Sequence, residues 1–184
     1  PEADFFRDNI PLLAQSGIGQ FEVAATPLQM AMIAAAVANN GLLMRPHVVE
    51  PIVDVDGTVI DDPAPELLGQ PLGFTTAAQL QNLMLRVVDE GTAASLRING
   101  ILVGAKTGTA EIDGTDATHA WIIAFAPVDN PQVAIAVLVE GDDAVGQQTG
   151  GTVAGPIARA MIEAVLQLPP SLDSGQVETE LVQN

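Results

Sequence analysis

The sequence predicts an α/β layered domain, a mainly antiparallel sheet covered by helices on both faces. Three observations lead there. Three strand-like runs follow one another at residues 101–109, 119–126 and 133–140, and Pro127-Val128-Asp129-Asn130-Pro131 joins the last two over a span short enough for an antiparallel hairpin. Those two runs are almost continuously apolar, as strands packed on both sides are. Helical patterns stand before and after them, giving the order helix, hairpin, helix, three strands, helix.

Residues 1–20 read as an irregular lead-in with Phe5 and Phe6 as anchors, and Gly17-Ile18-Gly19-Gln20 as a tight turn or loop. Thr26 then caps a helix, Pro27 suits its first position, and Gln29 at the third completes a capping box. Residues 30–37 are apolar nearly all round, which predicts a helix buried on most sides. Asn39-Asn40-Gly41 ends it, with Gly41 free to turn left-handed. Residues 45–49 and 52–55 read as short strands, with Asp56-Gly57 turning into 58–60. Three prolines make 61–71 a loop.

Thr76-Ala77-Ala78-Gln79 reads as a second capping box. Leu80, Leu83, Met84, Val87 and Val88 recur at helical spacing until Gly91, and 92–97 form another helical turn. After the three strands, 141–151 is a polar loop. Residues 153–168 form a closing helix with Pro156 near its start, stopped by Pro169-Pro170, and 171–184 form a loose acidic tail.

Composition narrows the function. Apolar residues make up 48% but aromatics only 3%, so the core must be built from close-packed small side chains. The net charge of −17 argues against nucleic acid and anionic lipid, which need clustered cations, and favours simple solubility. The absence of cysteine excludes disulfides, cysteine-ligated zinc and thiol catalysis. His47 and His119 lie far apart, so a metal site is not expected, and no motif in the chain implies a cofactor. The longest apolar stretch, 30–38, falls short of the ~20 residues that a spanning helix needs. The chain begins at Pro1-Glu2 without methionine, and upstream sequence is expected.

Lys106 is the only lysine, and it opens Lys106-Thr107-Gly108-Thr109-Ala110-Glu111 after the small apolar run 100–105. On a strand, Lys106 and Gly108 face one way and Thr107 and Thr109 the other. Gly108 lets a ligand approach the backbone, and an exposed edge there offers N–H and C=O groups to an extended peptide. The threonine hydroxyls suit a carboxylate, Lys106 supplies positive potential, and the Thr109 N–H suits an oxyanion. Taken alone, these four residues fit an ordinary strand end as well as a site.

Further blocks add weight: Gly17-Ile18-Gly19-Gln20, Thr26-Pro27-Leu28-Gln29-Met30-Ala31, Ala38-Asn39-Asn40-Gly41 with Pro46, Val87-Val88 with Gly91-Thr92-Ala93, Gly104 through Glu111, His119-Ala120-Trp121, and Phe125-Ala126-Pro127. In this order and spacing they resemble the transpeptidase domain of penicillin-binding proteins. The likeness is greatest to the monofunctional class B group of the actinobacterial penicillin-binding protein A type. It covers residues 17–168 and implies that 1–168 are the C-terminal portion of such a domain, incomplete here, with 169–184 as a tail. The resemblance implies serine acyl transfer: attack on the D-Ala-D-Ala bond of a peptidoglycan stem peptide, release of D-alanine, and transfer to an amine of a second stem, with β-lactam antibiotics acylating the same serine. Carried onto this chain, it implies that Lys106 tunes the site and attracts the terminal carboxylate. Thr107 and Thr109 hold that carboxylate across Gly108, and the Thr109 N–H forms half of the oxyanion hole.

The family has three motifs, Ser-x-x-Lys, Ser-x-Asn and Lys-Thr-Gly, and only the third is present. Ser16, Ser95, Ser171 and Ser174 all have the wrong neighbours, and Val103 stands three residues before Lys106. The expectation is a C-terminal piece, inactive by itself, whose N-terminal part supplies the serine. A degenerate non-catalytic homologue, sensor or interaction module is the alternative, as is a DD-carboxypeptidase or β-lactamase relative using water as acceptor. The family's substrate implies the extracytoplasmic face of the membrane, with an anchor outside this chain. Elsewhere, Trp121 is expected in the core, His119 packed or solvated beside the motif, and Glu111 a solvated strand end. Asp61-Asp62 and Asp142-Asp143 are expected to be exposed loop charges. Arg45 and Arg97 fit carboxylate clamps or surface roles equally.

Overall fold

The structure is a computed structural model and describes residues 3–49, 51–62, 64–112, 114–142 and 146–167. Its centre is a three-stranded antiparallel sheet in the order β5 (Gly104–Glu111), β6 (Thr118–Ala126), β7 (Val133–Val139). The hairpin over 127–131 forms as its length predicts. Lys106 pairs with Ile123 and Thr109 with Ala120, while Ile122 pairs with Val137.

The continuous apolar character of β6 serves two cores. Ile122 and Ala124 point into one with Val88, Leu96, Val103, Ala158 and Ile162, whereas Ile123 and Phe125 point into another with Ala34, Val37 and Met84. Helix α5 (Gly155–Gln167) covers the first face, and α3 (Pro27–Ala38) with α4 (Phe74–Asp89) covers the second. This is the predicted α/β layering.

Thr26 caps α3 as read from the sequence: the Gln29 N–H donates to its Oγ1 at 3.2 Å, and the Thr26 N–H donates to Gln29 Oε1 at 2.8 Å. Gly41 takes φ +91°. Yet α3 is buried on one side only. Ala34, Ala36, Val37 and Ala38 are buried, while Leu28 and Ile33 remain 58% and 49% exposed. Small alanines let one side approach the sheet closely, and among the described residues no element covers the other.

Several other expectations need correction. The lead-in is helical, α1 (Ala3–Arg7) and α2 (Ile10–Gly17), because Pro11 suits a first turn and Phe5 and Phe6 pack against Phe21. Residues 45–49 form no strand. Instead β1 (Leu43–Met44) pairs with β4 (Leu67–Gly69), inside the expected loop, and Pro46 lacks the N–H to carry the ladder further. The Asp56-Gly57 hairpin is present, between β2 (Ile52–Val53) and β3 (Val59–Asp61). Helix α4 starts at Phe74 after Gly73 with no side-chain cap, so Thr76 and Gln79 lie within it. Strand β5 begins at Gly104 because Ile101 instead bridges Ile98. A π-helical turn, Gly150–Ala154, ends the predicted loop and leads into α5. The expected helix end at 168, the Pro169-Pro170 stop, the tail over 171–184 and the expected exposure of Asp143 lie outside the described residues.

Candidate active site

Strand β5 lies at the edge of its sheet, bonded to β6 alone among the described strands. Its ladder sets Lys106 and Gly108 on the face of Ile123 and Trp121, and Thr107 and Thr109 on the face of Ile122 and Ala120. The four sequence-predicted residues therefore lie together along one open edge, with the threonines on a common side.

Lys106 is exposed and its Nζ donates to the Thr107 carbonyl. The described ion pairs join Arg7 to Asp4, Arg45 to Glu66, Arg86 to Glu90 and Arg159 to Glu163; none engages Lys106. In a chain with so many carboxylates, the lone lysine keeps its charge uncompensated by these pairs. Thr107 is half-buried and its Oγ1 lies 2.6 Å from Thr92 Oγ1.

Two supports were not foreseen from the sequence. Thr92 follows α4 and is held against the π-helical turn. A β-carbon on Gly151 would stand 2.0 Å from the Thr92 carbonyl oxygen, so only glycine permits this approach, and Ser95 Oγ fixes it by donating to the Gly151 carbonyl at 2.7 Å. The adjacent glycines 150 and 151 were the available signal.

The other support is Gln20. At the end of α2 the Gln20 N–H bonds to Gln15 O and the Gly19 N–H to Ser16 O, with Gly19 at φ +82°. This is a Schellman turn, which satisfies the last helical carbonyls. It aims the Gln20 side chain at β5, where Nε2 donates to Thr109 O at 3.0 Å and Oε1 accepts from the Glu111 N–H at 3.3 Å.

The remaining candidates fall elsewhere. Trp121 is half-buried, and a β-carbon on Gly108 would stand 3.2 Å from its own. His119 accepts the Gly141 N–H on Nδ1 at 3.0 Å, which puts the neutral ring's proton on Nε2. With Gln15, Gln20, Phe21 and Glu111 it lines a cavity of about 470 Å³ beside the motif. A larger cavity of about 580 Å³ lies around 97–103, before β5, and includes none of the motif residues. Glu111, Asp61, Asp62 and Asp142 are exposed. Arg45 clasps Glu66 through Nε and a terminal nitrogen at 2.5 and 2.9 Å, which pulls the Glu66 carboxyl below its usual range and raises the guanidinium. Arg97 donates to the carbonyls of Val88 and Asp89, capping the end of α4. Both arginines thus have structural partners.

Chemically, the edge offers a cation, two hydroxyls on one side and backbone donors, a set suited to an anionic, extended ligand. Comparison with known proteins gives the family. Residues 9–163 match the family model for the penicillin binding protein transpeptidase domain. The chain is 44% identical over 159 residues to the peptidoglycan D,D-transpeptidase PbpA of Mycolicibacterium smegmatis, covering 84% of this chain and 32% of that protein. It is 42% identical over 165 residues to PbpA of Mycobacterium tuberculosis, covering 86% and 33%. The crystal structure of the M. tuberculosis protein superposes with a TM-score of 0.76 at 40% identity, over 85% of this chain and 38% of that one. Its imipenem acyl-enzyme complex gives 0.74 at 41%, over 84% and 34%. The chain therefore spans about a third of the length of these curated relatives.

Proposed function

This chain belongs to the penicillin-binding protein transpeptidase family, and we propose on that basis that it is the substrate-binding half of a peptidoglycan D,D-transpeptidase. Residues 1–168 are the C-terminal portion of the domain and 169–184 a tail. An N-terminal part of the same protein carries the nucleophilic serine. Lys106 draws in the terminal carboxylate of a D-Ala-D-Ala stem peptide, and the hydroxyls of Thr107 and Thr109 bind it, with Gly108 giving access to the backbone. The serine attacks the penultimate carbonyl. Negative charge then grows on its oxygen, where the Thr109 N–H is one donor and the serine's own N–H the other; such donors act on the transition state more than on the ground state. D-Alanine leaves, and an amine of a second stem takes the acyl group from the ester. β-Lactams acylate the same serine, a reading supported by the imipenem acyl-enzyme complex of the M. tuberculosis relative. The work is done on the extracytoplasmic face of the membrane, where that substrate lies.

The observation that carries this reading is the charge of Lys106, left without a carboxylate partner among the described ion pairs, beside two same-side hydroxyls on an open strand edge.

Fluorescent penicillin labelling tests it. The chain alone is expected to take no covalent label, and its N-terminal part to take label when both are present. Label on this chain itself would sink the division of labour. Lys106→Ala is expected to slow acylation roughly tenfold or more, the effect of losing 1.4 kcal/mol or more of charge attraction; unchanged labelling would remove Lys106 from the site.

A further inference from the structure

The contact between Gln20 and β5 joins residues 89 positions apart in the chain. In an antiparallel edge strand, the N–H and C=O groups of alternate residues face outward and find no ladder partner. At Thr109 and Glu111, the Gln20 carboxamide supplies one. Its Nε2 donates to Thr109 O and its Oε1 accepts from the Glu111 N–H. One planar side-chain amide thus acts as a residue of a neighbouring strand would, and it ties down the peptide plane after Thr109.

We infer that Gln20 is a positioning residue for the oxyanion donor at Thr109, holding the outer edge of β5 without itself touching substrate. The inference rests on the function proposed above. A backbone donor serves an oxyanion only when held within about 0.5 Å and 10–20° of the productive geometry, and Thr109 sits two residues from the end of an edge strand. Without Gln20, the outward carbonyl of Thr109 and N–H of Glu111 turn to water and the strand end is free to twist.

The choice of side chain follows from the same geometry. A carboxamide both donates and accepts, as the two outward groups require. It is also neutral, whereas a carboxylate here would face the Thr109 carbonyl and add negative charge near the developing oxyanion. The Schellman turn supplies the aim. Gly19 at φ +82° is what lets the chain leave α2 in the direction of β5.

Two measurements decide the matter. In the protein that carries this chain, hydrogen exchange at the Glu111 amide is expected to speed up several-fold in Gln20→Met, which keeps length and removes both bonds; unchanged exchange would show that Gln20 does not hold the edge. In the protein that carries this chain together with its serine-bearing part, stopped-flow acylation by fluorescent penicillin separates the binding constant from the acylation rate constant. Gln20→Met is expected to lower that rate constant about tenfold, less than the 100- to 1000-fold of losing a donor outright, at unchanged binding constant and melting temperature. Gln20→Glu is expected to lower it further, and Gly19→Ala to lower it with some loss of stability. Misfolding would reduce the labelled fraction, read from the burst amplitude, and not the rate constant of the folded molecules. An unchanged rate constant, or a change confined to binding, would overturn the positioning role. If the unaltered protein takes no label, the transpeptidase reading itself fails, while the exchange measurement still reports on the edge.

Discussion

At the residue scale, the informative pair is Thr92 and Thr107, whose hydroxyl oxygens stand 2.6 Å apart. One hydroxyl must donate to the other. If Thr92 donates, the Thr107 proton is free to turn to a ligand carboxylate and the Thr107 oxygen is already fixed. Thr92→Val keeps the shape and removes this partner. Its loss is expected to cost about 1 kcal/mol, a several-fold weaker binding constant for fluorescent penicillin with a smaller effect on the acylation rate constant. The opposite split, intact binding with slowed acylation, would assign Thr92 to the chemistry and not to the carboxylate. Lys106, Thr107, Gly108 and Thr109 were legible in the sequence because they are contiguous and the strand period fixes their faces. Thr92 and Gln20 were visible only as members of motifs. Their tasks come from contacts across 15 and 89 residues, and no local period encodes such distances.

At the scale of elements, the Arg45–Glu66 clasp shows how two short strands stay together. Strands β1 and β4 share few ladder bonds, and the Arg45 N–H extends the pairing by donating to Glu66 O at 2.8 Å. Over that backbone bond the two side chains meet, and hydrogen bonding from Arg45 is the main cause that lowers the Glu66 pKa. The sign follows: a carboxyl with a depressed folded pKa adds stability that is fully present above the ordinary glutamate range and lost as pH falls through the depressed value. An NMR titration of the Glu66 side-chain carboxyl should therefore show a midpoint below that of a free glutamate, and Arg45→Ala should return it to the ordinary range. A normal midpoint in the unaltered chain would mean that the exposed clasp is averaged away in solution. From sequence, 61–71 read as a loop because prolines dominate it, and 45–49 as a strand because valines do. The pairing that forms depends on where Pro46 interrupts the ladder and on a partner 21 residues away. The α3 capping box, by contrast, was readable, since all its groups lie within four residues.

At the scale of the whole molecule, β6 is a wall common to both cores, and the site inherits its position from it. Ile122 and Ala124 pack toward α5, Ile123 and Phe125 toward α3 and α4, and the same strand holds β5 in register from Gly104 to Glu111. The near-continuous apolar run announced this two-sided burial in the sequence. Which helix lay on which face it did not, because both faces of the strand are apolar and neither side carries a label. A shared wall has a mechanical consequence. Phe125 and Ile162 are fully buried in different cores. Phe125→Ala is expected to cost about 3–5 kcal/mol and Ile162→Ala about 2–5 kcal/mol. Since neither layer can open without exposing one face of β6, each variant should shift one common unfolding transition, followed both by far-ultraviolet circular dichroism and by Trp121 fluorescence. Trp121 lies on β6 opposite Gly108, so its emission reports the sheet at the motif itself. Coincident midpoints for the two probes in both variants are the expected result. Separate midpoints in Ile162→Ala would show that the α5 layer detaches while the Lys106 edge stays in place, and the site would then depend on one core only.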